Sequence, residues 1–149
     1  MTDNDQARLL IGHARKAARN AHAPYSNFAV GAAVLLTDGS VVTGANFENA
    51  SYGLSLCAET VAIASLSAAG RLRDVVAVGV IGGMMDGGVA TGDTPVRPCG
   101  RCRQVLNEAA QMGRRDLTVY CGGAEGDAIE THRLSDLLPH AFGPADLGL

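Results

Sequence analysis

Two short stretches decide how this chain is organised: CAE at residues 57–59 and PCGRC at residues 98–102. Catalytic zinc usually keeps three protein ligands and leaves the fourth position to water, whereas structural zinc is closed by four. The cysteines of the two stretches would supply three thiolates, and Glu59 would carry protons beside the bound water. The sequence therefore predicts a catalytic zinc site with the ligands Cys57, Cys99 and Cys102.

Helix geometry shows how these residues can meet at one metal. Cys99 and Cys102 are three residues apart, so on a helix they share a face. Cys57 and Glu59 are two apart and would point away from each other within a helix. We therefore expect Cys57 at a helix entrance with non-helical backbone. The thiols would then lie near two helix N-termini, whose positive dipole ends favour the thiolate that binds metal.

A lone C-x-x-C has other common uses, as a redox pair or as half of a structural zinc ribbon. A ribbon would need a second C-x-x-C, and the one remaining cysteine, Cys121, lies in an apolar stretch. A redox pair would leave residues 57–59 unexplained. P-C-x-x-C preceded by a glutamate motif, three-cysteine variant included, is typical of zinc deaminases.

The chain resembles the small cytidine deaminases that act on free nucleosides. The resemblance rests on blocks in the family's order: PYSNFAVG (24–31), NFENASY (46–52) followed by CAE, PCGRCRQV (98–105) and LPHAFGP (138–144). It implies one zinc ion per chain and hydrolytic deamination of cytidine and 2′-deoxycytidine to uridine and 2′-deoxyuridine, with release of ammonia. Pyrimidine salvage would be the cellular role.

The substrate site is also implied by this resemblance. The matching Phe28 lines the pyrimidine pocket, and the backbone near Ala58 and Cys99 helps to hold the pyrimidine. Asn46 and Glu48 are two residues apart at a strand end, so their side chains point the same way. An amide beside a carboxylate suits a hydroxyl, and the matching pair in the family binds the ribose.

Partner subunits belong to the same expectation. The resemblance implies a homotetramer with shared active sites, in which Tyr52 and Phe142 reach the site of a neighbouring subunit. A helix predicted at residues 56–69 is apolar on more than one side, as a helix that faces both a sheet and a partner would be.

The sequence departs from the family pattern at two positions. Arginine often follows the catalytic glutamate, and here the residue is Thr60. Arg101 stands between the paired cysteines, where a small residue is expected. Three thiolates leave Zn²⁺ with one net negative charge, which the usual arginine offsets. We expect Arg101, or failing that Arg97 or Arg103, to supply the missing positive charge.

The sequence leaves two other functions open. A deaminase of a related aminopyrimidine nucleoside or of a nucleoside antibiotic would use the same chemistry with another pocket. A non-catalytic zinc-binding module would not need Glu59 beside an open zinc position.

Length and composition limit the remaining possibilities. The 149 residues, 47% of them hydrophobic, suit a single domain spanning 1–149. A net charge of -3 argues against a nucleic-acid polymer as partner. The partner that the resemblance implies is a small-molecule nucleoside. No apolar run is long enough for a membrane, and the polar, acidic N-terminus is not a signal peptide. We expect a cytoplasmic protein.

Apolar periodicity and turn signals predict a three-layer α/β/α fold with a mixed five-stranded sheet. The two helices that carry the metal ligands should be adjacent on one face, and strands joined through helices should be parallel. Residues 82–98 are rich in glycine and predict a long flexible loop. Helices are predicted at 5–21, 56–69, 99–112 and 135–138, and strands at 28–36, 41–46, 75–81, 117–121 and 128–133.

Overall fold

The computed structural model describes residues 1–149, with four α-helices and six strands. The helices are α1 (Asp3–Ala18), α2 (Ala58–Ala68), α3 (Gly100–Gly113) and α4 (Leu134–Leu137). The strands are β1 (Phe28–Leu36), β2 (Val41–Ala45), β3 (Val75–Asp86), β4 (Val89–Ala90), β5 (Thr118–Gly123) and β6 (Ile129–Arg133).

The strands form one mixed sheet in the order β2-β1-β3-β5-β6, with β4 paired to β3. β3 and β5, which are joined through α3, are parallel, and the other neighbouring pairs are antiparallel. The mixed α/β fold is therefore confirmed. The sheet has six strands where five were predicted, because the short strand β4 was missed.

Helices cover both faces of the sheet and produce two buried clusters. On one face α1 packs through Leu10, Ile11 and Ala14 against inward-facing residues of β1, β3 and β5. On the other face α2 and α3 pack together over the same strands, with Leu66 and Leu106 wholly or almost wholly buried. This arrangement is the predicted three-layer fold, with the two helices that carry the cysteine motifs on one face.

The predicted flexible loop at 82–98 is wrong in its first half. β3 continues to Asp86 and turns back into β4, so that Asp86 pairs with Val89 and Met85 with Ala90. The two turn residues Gly87 and Gly88 have φ angles of 60 and 81 degrees. Positive φ at both positions is the requirement of a type I′ turn, which joins strands with their natural twist.

The helix boundaries differ from prediction by one to three residues, and two of the differences have a clear local cause. Helix α1 begins at Asp3 because Thr2 and Asp5 form a capping box, each side chain bonding the other's backbone nitrogen. The short helix α4 begins at Leu134 rather than at Ser135. The Ser135 hydroxyl and amide bond Asp116 instead of capping the helix.

Gly44 of β2 lets the start of α2 lie close to the sheet. A Cβ added at Gly44 would come 2.4 Å from the carbonyl oxygen of Ala58 and 2.8 Å from the backbone nitrogen of Ala62. Because those distances are far below van der Waals contact, a larger residue would push α2 outward. The first turn of α2, with Cys57 and Glu59, is thus set against β2 by the missing side chain.

None of the helices combines the length and the apolar character that crossing a membrane requires.

Candidate active site

The cysteines lie where two helices begin. Cys57 is the N-cap of α2, with φ -74 and ψ 154, and Cys99 is the N-cap of α3, with φ -66 and ψ 167. Both backbones are extended, as predicted for Cys57, and neither side chain is used for capping. Cys102 is wholly buried in the first turn of α3. The thiols are therefore free to converge next to two positive helix ends.

The three sulfur atoms fit a tetrahedral zinc ion. The Sγ atoms of Cys57 and Cys99 are 3.8 Å apart, and all three sulfurs lie within 4.8 Å of one another. Two thiolates bound to tetrahedral zinc at about 2.3 Å would be separated by about 3.8 Å. This donor set suits a zinc ion with one coordination position left over.

The electrostatics of the three thiols favour a bound cation. Burial raises the pKa of Cys57 and of Cys102, and the nearby charge of Glu59 raises both further. Burial acts the same way on Cys99, but hydrogen bonds from the backbone and thiol of Cys102 and from Cys57 leave its pKa lowered. Three close, shielded thiolates repel one another unless a positive ion lies between them.

Glu59 lies in the first turn of α2 and has only 3% of its surface exposed. Burial raises the pKa of this carboxyl group, since the charged form loses solvation. Burial thus brings the protonated and the charged form of Glu59 closer in free energy. A carboxyl group in this situation is suited to take up a proton and return it.

A cavity of about 280 Å³ opens in front of these groups. It is lined by five of the residues predicted for the site, namely Asn46, Glu48, Cys57, Glu59 and Cys99. The structure thus brings the acid, two of the thiols and the proposed sugar pair around one small-molecule cavity.

Asn46 and Glu48 are held rigidly in this cavity. The Asn46 amide accepts from the Val30 amide at 2.9 Å and donates to the Phe28 carbonyl at 2.9 Å. Glu48 accepts from the amides of Tyr25 and Ser26, at 3.0 and 3.1 Å, and from the Ser26 hydroxyl. The Ser26 hydroxyl is the main reason why the pKa of Glu48 is lowered.

These bonds leave unused hydrogen-bonding groups on both side chains. An amide has two N–H donors and two acceptor lone pairs, and a carboxylate has about four acceptor sites. Asn46 therefore keeps an N–H, and Glu48 keeps an acceptor site. Together they can accept from and donate to a single hydroxyl of a ligand.

The other predicted substrate residues do not line the cavity of their own chain. Phe28 lies two positions before Val30 on the same strand, so both side chains are on the same face. Ala58 is fully buried in the first turn of α2. Tyr52 and Phe142 are 72% and 63% exposed.

The apolar residues that line the cavity were not predicted from the sequence. Val30, Leu56, Val80 and Val96 supply apolar surface. Val30 and Val80 could have been found only by knowing that β1 and β3 are neighbours, whereas Leu56 directly precedes the metal motif. The remaining lining residues are Ser55 and Arg97.

None of the three arginines considered for the missing charge bonds a thiol. Arg101 donates to the Ser55 carbonyl at 3.5 Å, which places it beside the segment before Cys57. Arg97 pairs with Glu130 through two bonds of 2.9 and 2.7 Å. Arg103 donates to the carbonyls of Pro98 and Leu137, both at 2.9 Å.

A three-layer α/β fold with three converging thiols and a buried carboxylate in a small cavity defines the class of hydrolytic deaminases. The family described as "cytidine and deoxycytidylate deaminase zinc-binding region" matches residues 4–117. The chain belongs to this cytidine deaminase family and is an enzyme, which confirms the resemblance found in the sequence.

Relatives and solved structures agree with this assignment. A cytidine deaminase of Halalkalibacterium halodurans is 47% identical over 140 residues, covering 94% of this chain and 96% of the relative. One of Mycobacterium tuberculosis is 45% identical over 139 residues, covering 93% and 91%. The crystal structure of cytidine deaminase from Burkholderia pseudomallei superposes with a TM-score of 0.77 at 42% identity, covering 95% of this chain and 100% of that one.

Proposed function

We propose that this enzyme hydrolyses cytidine and 2′-deoxycytidine to uridine and 2′-deoxyuridine, with release of ammonia, and that it uses one zinc ion per chain held by Cys57, Cys99 and Cys102. The observation that carries the proposal is the cavity in which Glu59, two of the thiols, Asn46 and Glu48 meet. A cytoplasmic location and a role in pyrimidine salvage stay predictions.

Glu59 is the proposed proton carrier. Zinc, when bound, would supply an activated water near neutral pH. Glu59 takes a proton from water and delivers it to N3 of the pyrimidine while the water oxygen bonds to C4. It then carries the proton of the new C4 hydroxyl to the exocyclic amine. The bond from C4 to the amine breaks as the C4 carbonyl forms, so that one water is consumed and one ammonia leaves. A single carboxylate acts first as base and then as acid.

Asn46 and Glu48 are the proposed sugar-binding pair. A sugar hydroxyl would donate to the free acceptor site of Glu48 and accept from the free N–H of Asn46. Because both a ribonucleoside and a 2′-deoxyribonucleoside carry sugar hydroxyls of this kind, the pair suits both. Phe28 and the backbone of Ala58 are proposed to hold the pyrimidine ring.

The function is tested by the ultraviolet absorbance of purified enzyme with cytidine, 2′-deoxycytidine and a panel of related aminopyrimidine nucleosides and nucleoside antibiotics. Loss of cytosine absorbance with both ordinary nucleosides, and one ammonia released per turnover, is expected. Turnover of a modified nucleoside with none of cytidine would favour the alternative substrate and contradict the proposal.

We propose further that the enzyme is a homotetramer with shared active sites. The exposed apolar side chains Tyr25, Tyr52 and Leu54 lie close to the segment that lines the cavity, and the Tyr25 and Tyr52 rings are 5.5 Å apart. The Phe142 carbonyl is anchored by Gln104 and Asn107 at 2.8 and 3.1 Å, while its ring stays exposed. Exposed aromatic rings are suited to pack against a neighbouring subunit, where they could close its site.

Mixing two inactive variants should restore activity if the sites are shared. A Glu59→Gln subunit lacks the proton carrier, and a Phe142→Ala subunit lacks the ring donated to its neighbour. After subunit exchange some sites combine an intact Glu59 with an intact Phe142, so cytidine turnover should reappear. Leu149→Ala, which removes another exposed apolar side chain of the C-terminal tail, should stay active alone.

Light scattering provides the mass in solution for the same samples. A monomeric mass would exclude the tetramer. Absence of recovered activity after exchange has been verified by mass spectrometry would exclude the shared site.

A further inference from the structure

The residue that replaces the family arginine contacts a metal ligand. Thr60 lies in the first turn of α2, and its Oγ1 is 3.5 Å from Sγ of Cys102 in the first turn of α3. This is a hydrogen-bonding distance for sulfur, whose radius exceeds that of oxygen. A thiolate has no proton to give, so in the metal-bound state the Thr60 hydroxyl is the donor.

The hydroxyl contacts the Cys102 sulfur rather than nearby backbone. A threonine in a helix often bonds the carbonyl three or four residues earlier. Here those carbonyls belong to Cys57 and Leu56, and they already accept the amides of Val61 and Phe47 at 3.0 and 2.9 Å. The side chain is instead directed across the α2–α3 contact to Cys102.

The charge requirement points to the same contact. Three thiolates on Zn²⁺ leave one net negative charge. Arg97 is neutralised by Glu130, and Arg103 is engaged with two carbonyls. Arg101 bonds a carbonyl at 3.5 Å and is exposed, so its charge is screened by water. The Thr60 hydroxyl, by contrast, reaches a ligand sulfur directly at 3.5 Å.

We propose that Thr60 is a positioning residue for the metal centre. Its hydroxyl donates to the Cys102 thiolate, fixes the direction of that sulfur and draws part of its negative charge away from the metal. Where arginine follows the glutamate, a cation offsets the negative charge of the thiolates. Here a neutral hydrogen bond from Thr60 offsets part of that charge. This inference rests on the proposed zinc site, and it assigns to Thr60 a role in metal binding rather than in contact with the substrate.

The test compares Thr60→Val, which has nearly the same shape without the hydroxyl, with Thr60→Ser, which keeps it. Zinc affinity is measured by competition with a chromophoric chelator, on protein that carries its metal at the start. Loss of a hydrogen bond to a metal ligand typically weakens metal binding by about 10- to 100-fold. We expect Thr60→Val to weaken zinc binding by about tenfold and Thr60→Ser to match the unmodified enzyme.

A spectroscopic readout separates tuning of the sulfur from loss of structure. With Co²⁺ in place of zinc, the sulfur-to-metal charge-transfer band should move to longer wavelength in Thr60→Val, because the sulfur lone pairs rise in energy without the hydrogen bond. Thr60→Ser should leave the band in place. Thr91→Val is the matched control, since the Thr91 hydroxyl bonds the Met84 carbonyl elsewhere in the fold.

Thr60→Ala is a second variant without the hydroxyl, and alanine is the best helix former. Weak binding in Thr60→Val with normal binding in Thr60→Ala would show that packing is responsible and would overturn the proposal. Normal zinc binding and an unshifted charge-transfer band in both Thr60→Val and Thr60→Ala would also overturn the proposal. A tenfold loss of zinc affinity in Arg101→Ala, with no loss in Thr60→Val, would show that Arg101 offsets the thiolate charge instead.

The zinc content of the unmodified enzyme separates this inference from the function it rests on. Less than one zinc per chain there would refute the zinc site itself. One zinc per chain with no effect at position 60 would refute only the role of Thr60.

Discussion

Glu59→Gln should keep its zinc and its fold and lose nearly all turnover of cytidine. Glutamine has the same shape and can form hydrogen bonds, but it cannot take up a proton and return it. General acid–base catalysis contributes about 10²- to 10⁴-fold, so we expect kcat to fall by at least about 10²-fold. The measurements are steady-state kinetics by ultraviolet absorbance, zinc content and thermal unfolding.

Glu108→Gln is the matched control for this prediction. Glu108 is an exposed carboxylate on α3, and it does not line the cavity. It undergoes the same change of charge and should retain the activity of the unmodified enzyme. A Glu59→Gln enzyme with near-normal kcat would refute the proposed proton carrier, whatever its zinc content.

Cys99→Ala and Cys102→Ala should each lose stoichiometric zinc and, with it, both activity and stability. Two thiolates and water hold zinc far less well than three thiolates do. Because metal bound only by the native site adds its binding free energy to folding, the loss of affinity lowers the free energy of unfolding. The measurements are zinc content by atomic absorption and the unfolding midpoint with and without added zinc.

Cys121→Ala tests whether the effect belongs to the cluster or to any buried thiol. Cys121 is fully buried on β5 but lies outside the metal cluster, and burial raises its pKa to about 12. It therefore behaves as a small apolar residue, and its removal should cost about 1 kcal/mol of packing while zinc content stays at one per chain. One zinc per chain in both Cys99→Ala and Cys102→Ala would show that the ligands are assigned wrongly.

The helix starts show how local chemistry made the position of the cysteines predictable. The two-residue spacing of Cys57 and Glu59 required non-helical backbone at Cys57, and the structure places it at the N-cap of α2. The three-residue spacing of Cys99 and Cys102 brings both sulfurs to the same end of α3. Both features follow from the period of the helix, which operates within a few residues.

The hairpin at the end of β3 was predictable in principle and was missed. Asp86 followed by Gly87 and Gly88 is a turn signal of the same kind as the Asp38-Gly39 turn between β1 and β2. The several glycines around it are more typical of a loop, which hides the turn signal. Strand β4 is only two residues long, too short for alternation between apolar and polar residues to be visible.

The sequence by itself determined the helices and strands of the layered α/β fold and the two halves of the thiol cluster, Cys57 with Glu59 and Cys99 with Cys102, because these depend on residues close together in the chain. Tertiary structure decided which side chains form the walls of the cavity, since Val30, Val80 and Val96 meet only after β1, β3 and the segment before α3 have packed. It also decided that Thr60 contacts Cys102, 42 residues further along. No local spacing encodes such contacts, because they arise when α2 and α3 pack side by side on one face of the sheet.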